Sequence, residues 1–355
     1  MKKPKCSLWE REPLGYAMQF YSKAQQREFH FFERGNIMKQ KVLILGATGA
    51  MGSYLTKKMV AEGYDVDAIS LDNIVSDKPN LHYIQVKDAT APTFVDEIVK
   101  NHYDGVVDFM IYNSISFRNT FPKYLKNVGQ YIYLSSCRVY ANEENPIRES
   151  SPRLLDVTTD PQLLFSDDYC MHKARGEDAL RASEFHNWTI VRPSTTYSSK
   201  RCQLLTLERA KLLPYMHSGE PVLLFDKAKD IPASLTWGGD VAEMIGRLLF
   251  NEKAICDDFN VTSSESRTWG EIAGYYKEIF GLNYEWVDEL TYQRFRDSSF
   301  NPETSLAAVW QLRYARMFNR AYDNSKVLEA TGLKQENFLT LYQGLTREKD
   351  SILAD

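Results

Sequence analysis

The sequence predicts an α/β protein: a Rossmann-type, doubly wound parallel sheet with a smaller, discontinuous C-terminal substrate lobe. Three observations predict it. A short apolar run, KVLIL (41–45), leads directly into glycines at 46, 49 and 52 and then into a stretch that sets Leu55, Met59 and Val60 on one helical face. Apolar runs of strand length then alternate with helical stretches as far as residue 195. Beyond that point the alternation breaks down, as expected where a chain leaves its sheet.

In order along the chain, strands are expected at 41–45, 64–71, 81–86, 104–112, 130–136 and 188–194. Helices are expected around 55–62, 93–101 and 171–184, and the gaps between strands are long enough for the crossovers that parallel pairing requires. LLTLERAKLLPYM (204–216) reads as a helix, PVLLF (221–225) as a strand and GGDVAEMIGRLLFN (238–251) as a helix with an early Asp. DDFNVTS (257–263) reads as a further strand of the main sheet, and TWGEIAGYYKEIF (268–280) as a helix ended by Gly281. The organisation expected is a dinucleotide-binding unit over 38–195 plus 237–263 and a substrate lobe over 196–236 plus 264–355. The ligand cleft lies at the carboxyl ends of the strands.

Residues 1–37 read as an N-terminal extension without a catalytic part, a docking or oligomerisation helix being the alternative. MKKPKC is basic, but the ~7–15-residue apolar core of a secretory signal does not follow it. The net charge of −4 argues against an electrostatic grip on nucleic acid. Cys6, Cys137, Cys170, Cys202 and Cys256 show neither zinc nor CxxC spacing and read as reduced thiols of a cytoplasmic protein. No metal site is predicted, and no apolar run approaches the ~18 residues of a membrane span.

Gly46 allows the tight turn, Gly49 lets backbone N–H groups approach a pyrophosphate, and Gly52 lets the helix pack on the strand. Thr48, Ala50 and Met51 complete the turn and are expected to contact a dinucleotide. The second strand ends near Ser70 and Asp72. A carboxylate there accepts both adenosine ribose hydroxyls and repels a 2′-phosphate, so Asp72 favours NAD. Ser70 in that place leaves NADP open. Asp88 is a candidate for the adenine amine, or a solvated turn residue. Ser135 and Ser136 stand at the end of the fifth strand, and Tyr169 and Lys173 lie at i and i+4 on one helical face. An ammonium beside a phenol lowers its pKa from about 10, and a serine hydroxyl can hold the oxygen that the phenolate deprotonates.

GATGAMG (46–52), YIYLSSCRVY (131–140), YCMHK (169–173), IVRPS (190–194), DVA (240–242) and DNSKVLEATGL (323–333) together resemble the extended short-chain dehydrogenase/reductases, the NAD-dependent epimerase/dehydratases. The resemblance implies that Gly46, Gly49 and Gly52 bind cofactor phosphates. It implies that Ser136 and Tyr169 engage the hydroxyl being oxidised, that Lys173 holds the nicotinamide ribose and that Pro193 lines the nicotinamide pocket. Arg313 falls where many members hold a substrate diphosphate. The sequence departs from the family in three places. Only residues 113–129 separate the fourth and fifth strands, where members carry a long helix that helps form a dimer and supplies an asparagine supporting the lysine; this resembles a divergent branch with plastid RNA-associated relatives. Ala233 replaces an arginine seven residues before the DVA aspartate, and Arg313 or Arg201 would have to compensate. Cys137 and Arg138 follow Ser136 where 4,6-dehydratases carry an acid pair, which disfavours dehydration.

The resemblance thus implies an NAD-dependent nucleotide-sugar epimerase, a homodimer being left open. The alternatives are a ketoreductase of a sugar or small carbonyl, and a non-catalytic RNA-associated or cofactor-sensing member of the fold. Cys137 and Cys170 are expected to be packed structural thiols, and His172 to point away from the Tyr169–Lys173 face.

Overall fold

In a computed structural model, which describes residues 39–354, seven strands form one parallel sheet. The expected extension over residues 1–37 lies outside the described residues. The strands are β1 (Lys41–Leu45), β2 (Asp65–Ser70), β3 (Leu81–Gln85), β4 (Gly105–Asp108), β5 (Gln130–Leu134), β6 (Trp188–Arg192) and β7 (Asp257–Asn260), in the spatial order β7-β6-β5-β4-β1-β2-β3. The chain starts in the middle at β1, winds out to β3, then returns to lay β4 on the other side of β1. Strand order reverses between β1 and β4, and a crevice opens there at the carboxyl ends.

Side chains alternate across the sheet, so each strand feeds two cores. Val42, Ile44, Val107, Ile132 and Val191 pack on one face under α1 (Gly52–Ala61) and a helix at Gly238–Leu248. Leu43, Leu45, Val106, Tyr131 and Tyr133 pack on the other under α2 (Pro92–Ile98), α3 (Ser114–Asn127) and α4 (Tyr169–Arg181). After β6 the chain leaves the sheet, comes back for the Gly238–Leu248 helix and β7, and leaves again. A separate core runs from Tyr197 to Ile352 around Trp269, Tyr276 and Tyr292. Among the described residues no helix is long and apolar enough to cross a membrane.

The expected strand at 104–112 stops at Asp108. The buried Asp108 carboxylate accepts the Met110 N–H and the hydroxyls of Tyr112 and Tyr131, which turns the chain away from the sheet. The helix expected at 204–216 begins only at Arg209, because Gln203–Leu204 and Leu207–Glu208 pair as a small antiparallel hairpin with Leu205 at φ 51°. The short connection between β4 and β5 is filled by α3, with Asn113 as its N-cap. Gly281 ends the Trp269–Phe280 helix at φ 73°.

Candidate active site

The glycine turn is shaped for close approach. Gly46 sits at φ 82°, a conformation that favours glycine. A Cβ on Gly52 would fall 2.2 Å from the Gly46 carbonyl oxygen and 3.0 Å from the Ala47 Cα, so strand and helix meet at backbone distance. The N–H groups of Thr48, Ala50, Met51 and Gly52 donate to nothing among the described residues. They gather at the N-terminus of α1, where the helix dipole also favours negative charge. Four unspent donors in a turn that admits no Cβ at Gly52 fit the pyrophosphate of a dinucleotide. Gly52→Ala is expected to cost about 1–3 kcal/mol through overpacking, read as weaker NAD binding in calorimetry together with a lower melting temperature. Unchanged NAD affinity would contradict this use of the turn.

The end of β2 separates its two candidates. Ser70 is buried and its hydroxyl is engaged internally, 2.8 Å from Thr48 Oγ1 and accepting the Asp72 N–H at 2.9 Å. Asp72 is exposed, and its carboxylate has no partner among the described residues, which leaves it free for a ribose. The Asp88 Oδ1 accepts both the N–H and the hydroxyl of Thr90 and closes the turn before α2.

Ser136, Tyr169 and Pro193 line one cavity of about 240 Å³, which reaches Met51 of the glycine turn. Asp168 caps α4 by accepting the Cys170 N–H, so the helix begins at Tyr169 itself. The serines divide their labour. Ser135 donates to Glu177 Oε1 at 2.6 Å, whereas Ser136 lines the cavity with Tyr169 and helps hold its phenol's pKa down. Glu177 fixes α4 against the sheet: Arg192 of β6 donates to Oε1 at 2.6 Å and to Oε2 at 2.7 Å, with both side chains buried. Lys173 Nζ lies 5.8 Å from the Tyr169 ring centroid and donates to the carbonyls of Leu134 (2.6 Å) and Met110 (3.2 Å). Backbone thus supports the lysine that an asparagine supports in the resembled family.

The electrostatics differ from expectation. Burial raises the Tyr169 phenol, opposed by Arg138, by the Ser136 hydrogen bond and by Arg201, and the net shift is upward. The Lys173 ammonium is not among the main influences on it. Burial pulls Lys173 itself down to about 8. Arg138 stands 5.2 Å from the Tyr169 ring centroid and is the first cation to hold the phenol's pKa down. Arg138→Gln should therefore move the pH at which the phenol ionises upward, shifting the alkaline rise in kcat/KM to higher pH. An unmoved rise would contradict this role.

Two further expectations are corrected. Arg313 does not line the cavity; its exposed side chain pairs with Glu289 at 3.2 Å. A π-helical turn over Leu312–Arg316 sets the spacing so that Arg316 and Arg320 reach the cavity instead. His172 does not point away from Tyr169: its ring meets the phenol edge-on, centroids 5.3 Å apart. Cys137 and Cys170 are buried, which raises both thiols to about 12 and leaves them unreactive.

A family model described as the NAD dependent epimerase/dehydratase family matches residues 42–261. The chain belongs to this NAD-dependent family of enzymes, and NAD is its cofactor. The solved structures that share the fold include the UDP-glucuronic acid 4-epimerase of Bacillus cereus, in complex with UDP-glucuronic acid and NAD. It is 16% identical, with 88% of this chain and 99% of that chain covered and a TM-score of 0.64. The Thermus thermophilus UDP-glucose 4-epimerase in complex with NAD gives the same identity, coverage and score. WbmH of Bordetella bronchiseptica, in complex with NAD+, is 15% identical over 86% of this chain and 96% of its own, with a TM-score of 0.64. No curated protein sequence is significantly similar to this one.

The sequence reading missed Arg316 and Arg320. Their i, i+4 spacing was visible, but the motif position drew attention to Arg313, and a π-turn leaves no clear signature in residue type.

Proposed function

We propose that this chain is a nucleotide-sugar epimerase working through Ser136, Tyr169 and Lys173. The observation that carries the proposal is that Ser136 and Tyr169 line one cavity that reaches the glycine turn, with the Ser136 hydroxyl acting on the Tyr169 phenol. The turn and Asp72 would hold NAD, with Lys173 on the nicotinamide ribose. Bound NAD supplies a hydride acceptor in one direction and a donor in the other. The Tyr169 phenolate takes the proton from a sugar hydroxyl while Ser136 donates to the same oxygen, and both interactions strengthen as that oxygen becomes a carbonyl. Tyr169 later returns the proton. Epimerisation results if the ketone presents its other face before the hydride comes back, and without that rotation the starting sugar is re-formed; given a ketone and external NAD(P)H, the same groups would perform a net reduction. Cys137 and Arg138 supply no acid to a leaving hydroxyl, which supports these outcomes over dehydration.

A thermal-shift screen of nucleotide sugars with NAD present tests the substrate class, and cofactor content separates the two outcomes. NAD(H) released from the denatured pure protein supports an epimerase, which regenerates its cofactor each cycle. Free exchange with NADPH supports a ketoreductase. Failure of every nucleotide sugar to raise the melting temperature would overturn the proposal.

A further inference from the structure

Among the described residues the substrate cavity is lined by four arginines, Arg138, Arg201, Arg316 and Arg320, and by no carboxylate. Their partners answer only part of this charge. Arg138 Nη2 lies 3.3 Å from Asp168 Oδ1, an atom that also serves the Cys170 N–H, and its Nε is buried without a partner. Arg201 has Glu208 at 3.8 Å. Arg316 is buried against neutral acceptors only, the Leu205 carbonyl at 2.8 Å and Gln203 Oε1 at 2.6 Å. Arg320 donates to carbonyls, and its Nη1 is buried with no acceptor. Four cations thus face two carboxylates, one of them distant. Burying a guanidinium without a counter-charge is costly. Burial and the fields of Arg138 and Arg201 push Arg316 down to about 9.

Of the four, Arg138 stands at the reacting end of the cavity. Arg138 is two residues from Ser136 and stands 5.2 Å from the Tyr169 ring centroid. The cavity, at about 240 Å³, is smaller than the ~300–1,000 Å³ pockets that enclose whole drug-sized ligands. A cavity of that size takes one part of a nucleotide sugar rather than the whole, and Ser136 and Tyr169 line it. An anion that answers Arg138 sits beside the hydroxyl that Tyr169 deprotonates.

We infer that the reacting sugar itself carries an oxyanion, a carboxylate or a phosphate, next to the hydroxyl undergoing chemistry, and that Arg138 binds it with Arg316 and Arg320 behind. The inference rests on the assignment of Tyr169 as the proton-transfer group. A fork of guanidinium donors suits either oxyanion, and a charge-assisted hydrogen bond contributes several-fold to more than tenfold in affinity.

Calorimetry on the NAD-loaded protein tests it with UDP-glucose, UDP-glucuronic acid and glucose 6-phosphate. One acidic sugar is expected to bind at least ~10-fold more tightly than UDP-glucose, the winner identifying carboxylate or phosphate. Arg138→Gln should abolish the preference and Arg138→Lys retain part of it, with melting temperature and NAD affinity reporting that each variant is folded. UDP-glucose binding as tightly as both acidic sugars, a preference that survives Arg138→Gln, or no binding by any of the three overturns the inference. Turnover of UDP-glucose without acidic preference defeats the oxyanion and leaves the epimerase standing. Acidic preference with no turnover does the reverse.

Discussion

Tyr169→Phe should lose turnover by at least ~10²-fold while binding NAD as the parent does, because a positioned proton-transfer group contributes ~10²–10⁴-fold. Only the hydroxyl is removed. The ring that packs against His172 and under Arg138 remains, so the fold and the glycine turn are untouched. Ser136 keeps its own contact in the variant, accepting the Arg138 N–H at 3.1 Å. Steady-state turnover with calorimetric NAD affinity measures both halves of this prediction. A variant that keeps more than a tenth of its activity would mean that another group moves the proton.

The second large effect is on stability. Glu177 is fully buried between α4 and the sheet, where Arg192, Arg153 and Arg181 surround it. Glu177→Ala leaves Arg192 with Asp258, at 2.7 Å, as its only carboxylate partner among the described residues, and should cost about 3–5 kcal/mol, the range for breaking a buried pair from one side. The double variant Glu177→Leu with Arg192→Met should cost less than the single one, because no charge is left stranded. Denaturant melts of the three proteins decide it; equal losses would mean that the pair merely fills space. The arginines hold the Glu177 carboxyl down to about 2, below the usual 4.5. Its stabilisation is therefore present above pH ~4.5 and disappears as pH falls towards 2, a pH dependence that Glu177→Ala should lack. The site suffers too, since Ser135 and Arg192 set α4, and with it Tyr169 and Lys173, against β5 and β6.

Much of this was legible in the residues. The β1–glycine–α1 unit announces itself because a buried strand, a positive-φ glycine and an amphipathic helix all have local signatures. Tyr169 and Lys173 share a face by helical periodicity alone, whereas the Asp168 cap that starts their helix at 169 rather than 171 emerged only in the structure. What stayed hidden depends on contacts across long sequence distances. Nothing in DGVVDFMIY says that Asp108 will be seized by Tyr131 and end the strand four residues early. Nothing in SSCRVY says which serine turns inward to Glu177 and which faces Tyr169. The cations that tune Tyr169 were misassigned for the same reason: Lys173 is near in sequence, but its ammonium is spent on backbone carbonyls, while Arg138 arrives from the end of another strand. Arg313 was displaced from the cavity by a single π-turn.

The account turns on Ser136, Tyr169 and Lys173 meeting substrate and cofactor at one point, and a crystal structure of the NAD complex tests it most directly. Lys173 Nζ is predicted to exchange the Met110 and Leu134 carbonyls for the nicotinamide ribose hydroxyls, with the pyrophosphate on the N–H groups of Thr48, Ala50, Met51 and Gly52 and the ring beside Tyr169. A nicotinamide bound away from Tyr169, or a pyrophosphate that leaves the glycine turn empty, would contradict it.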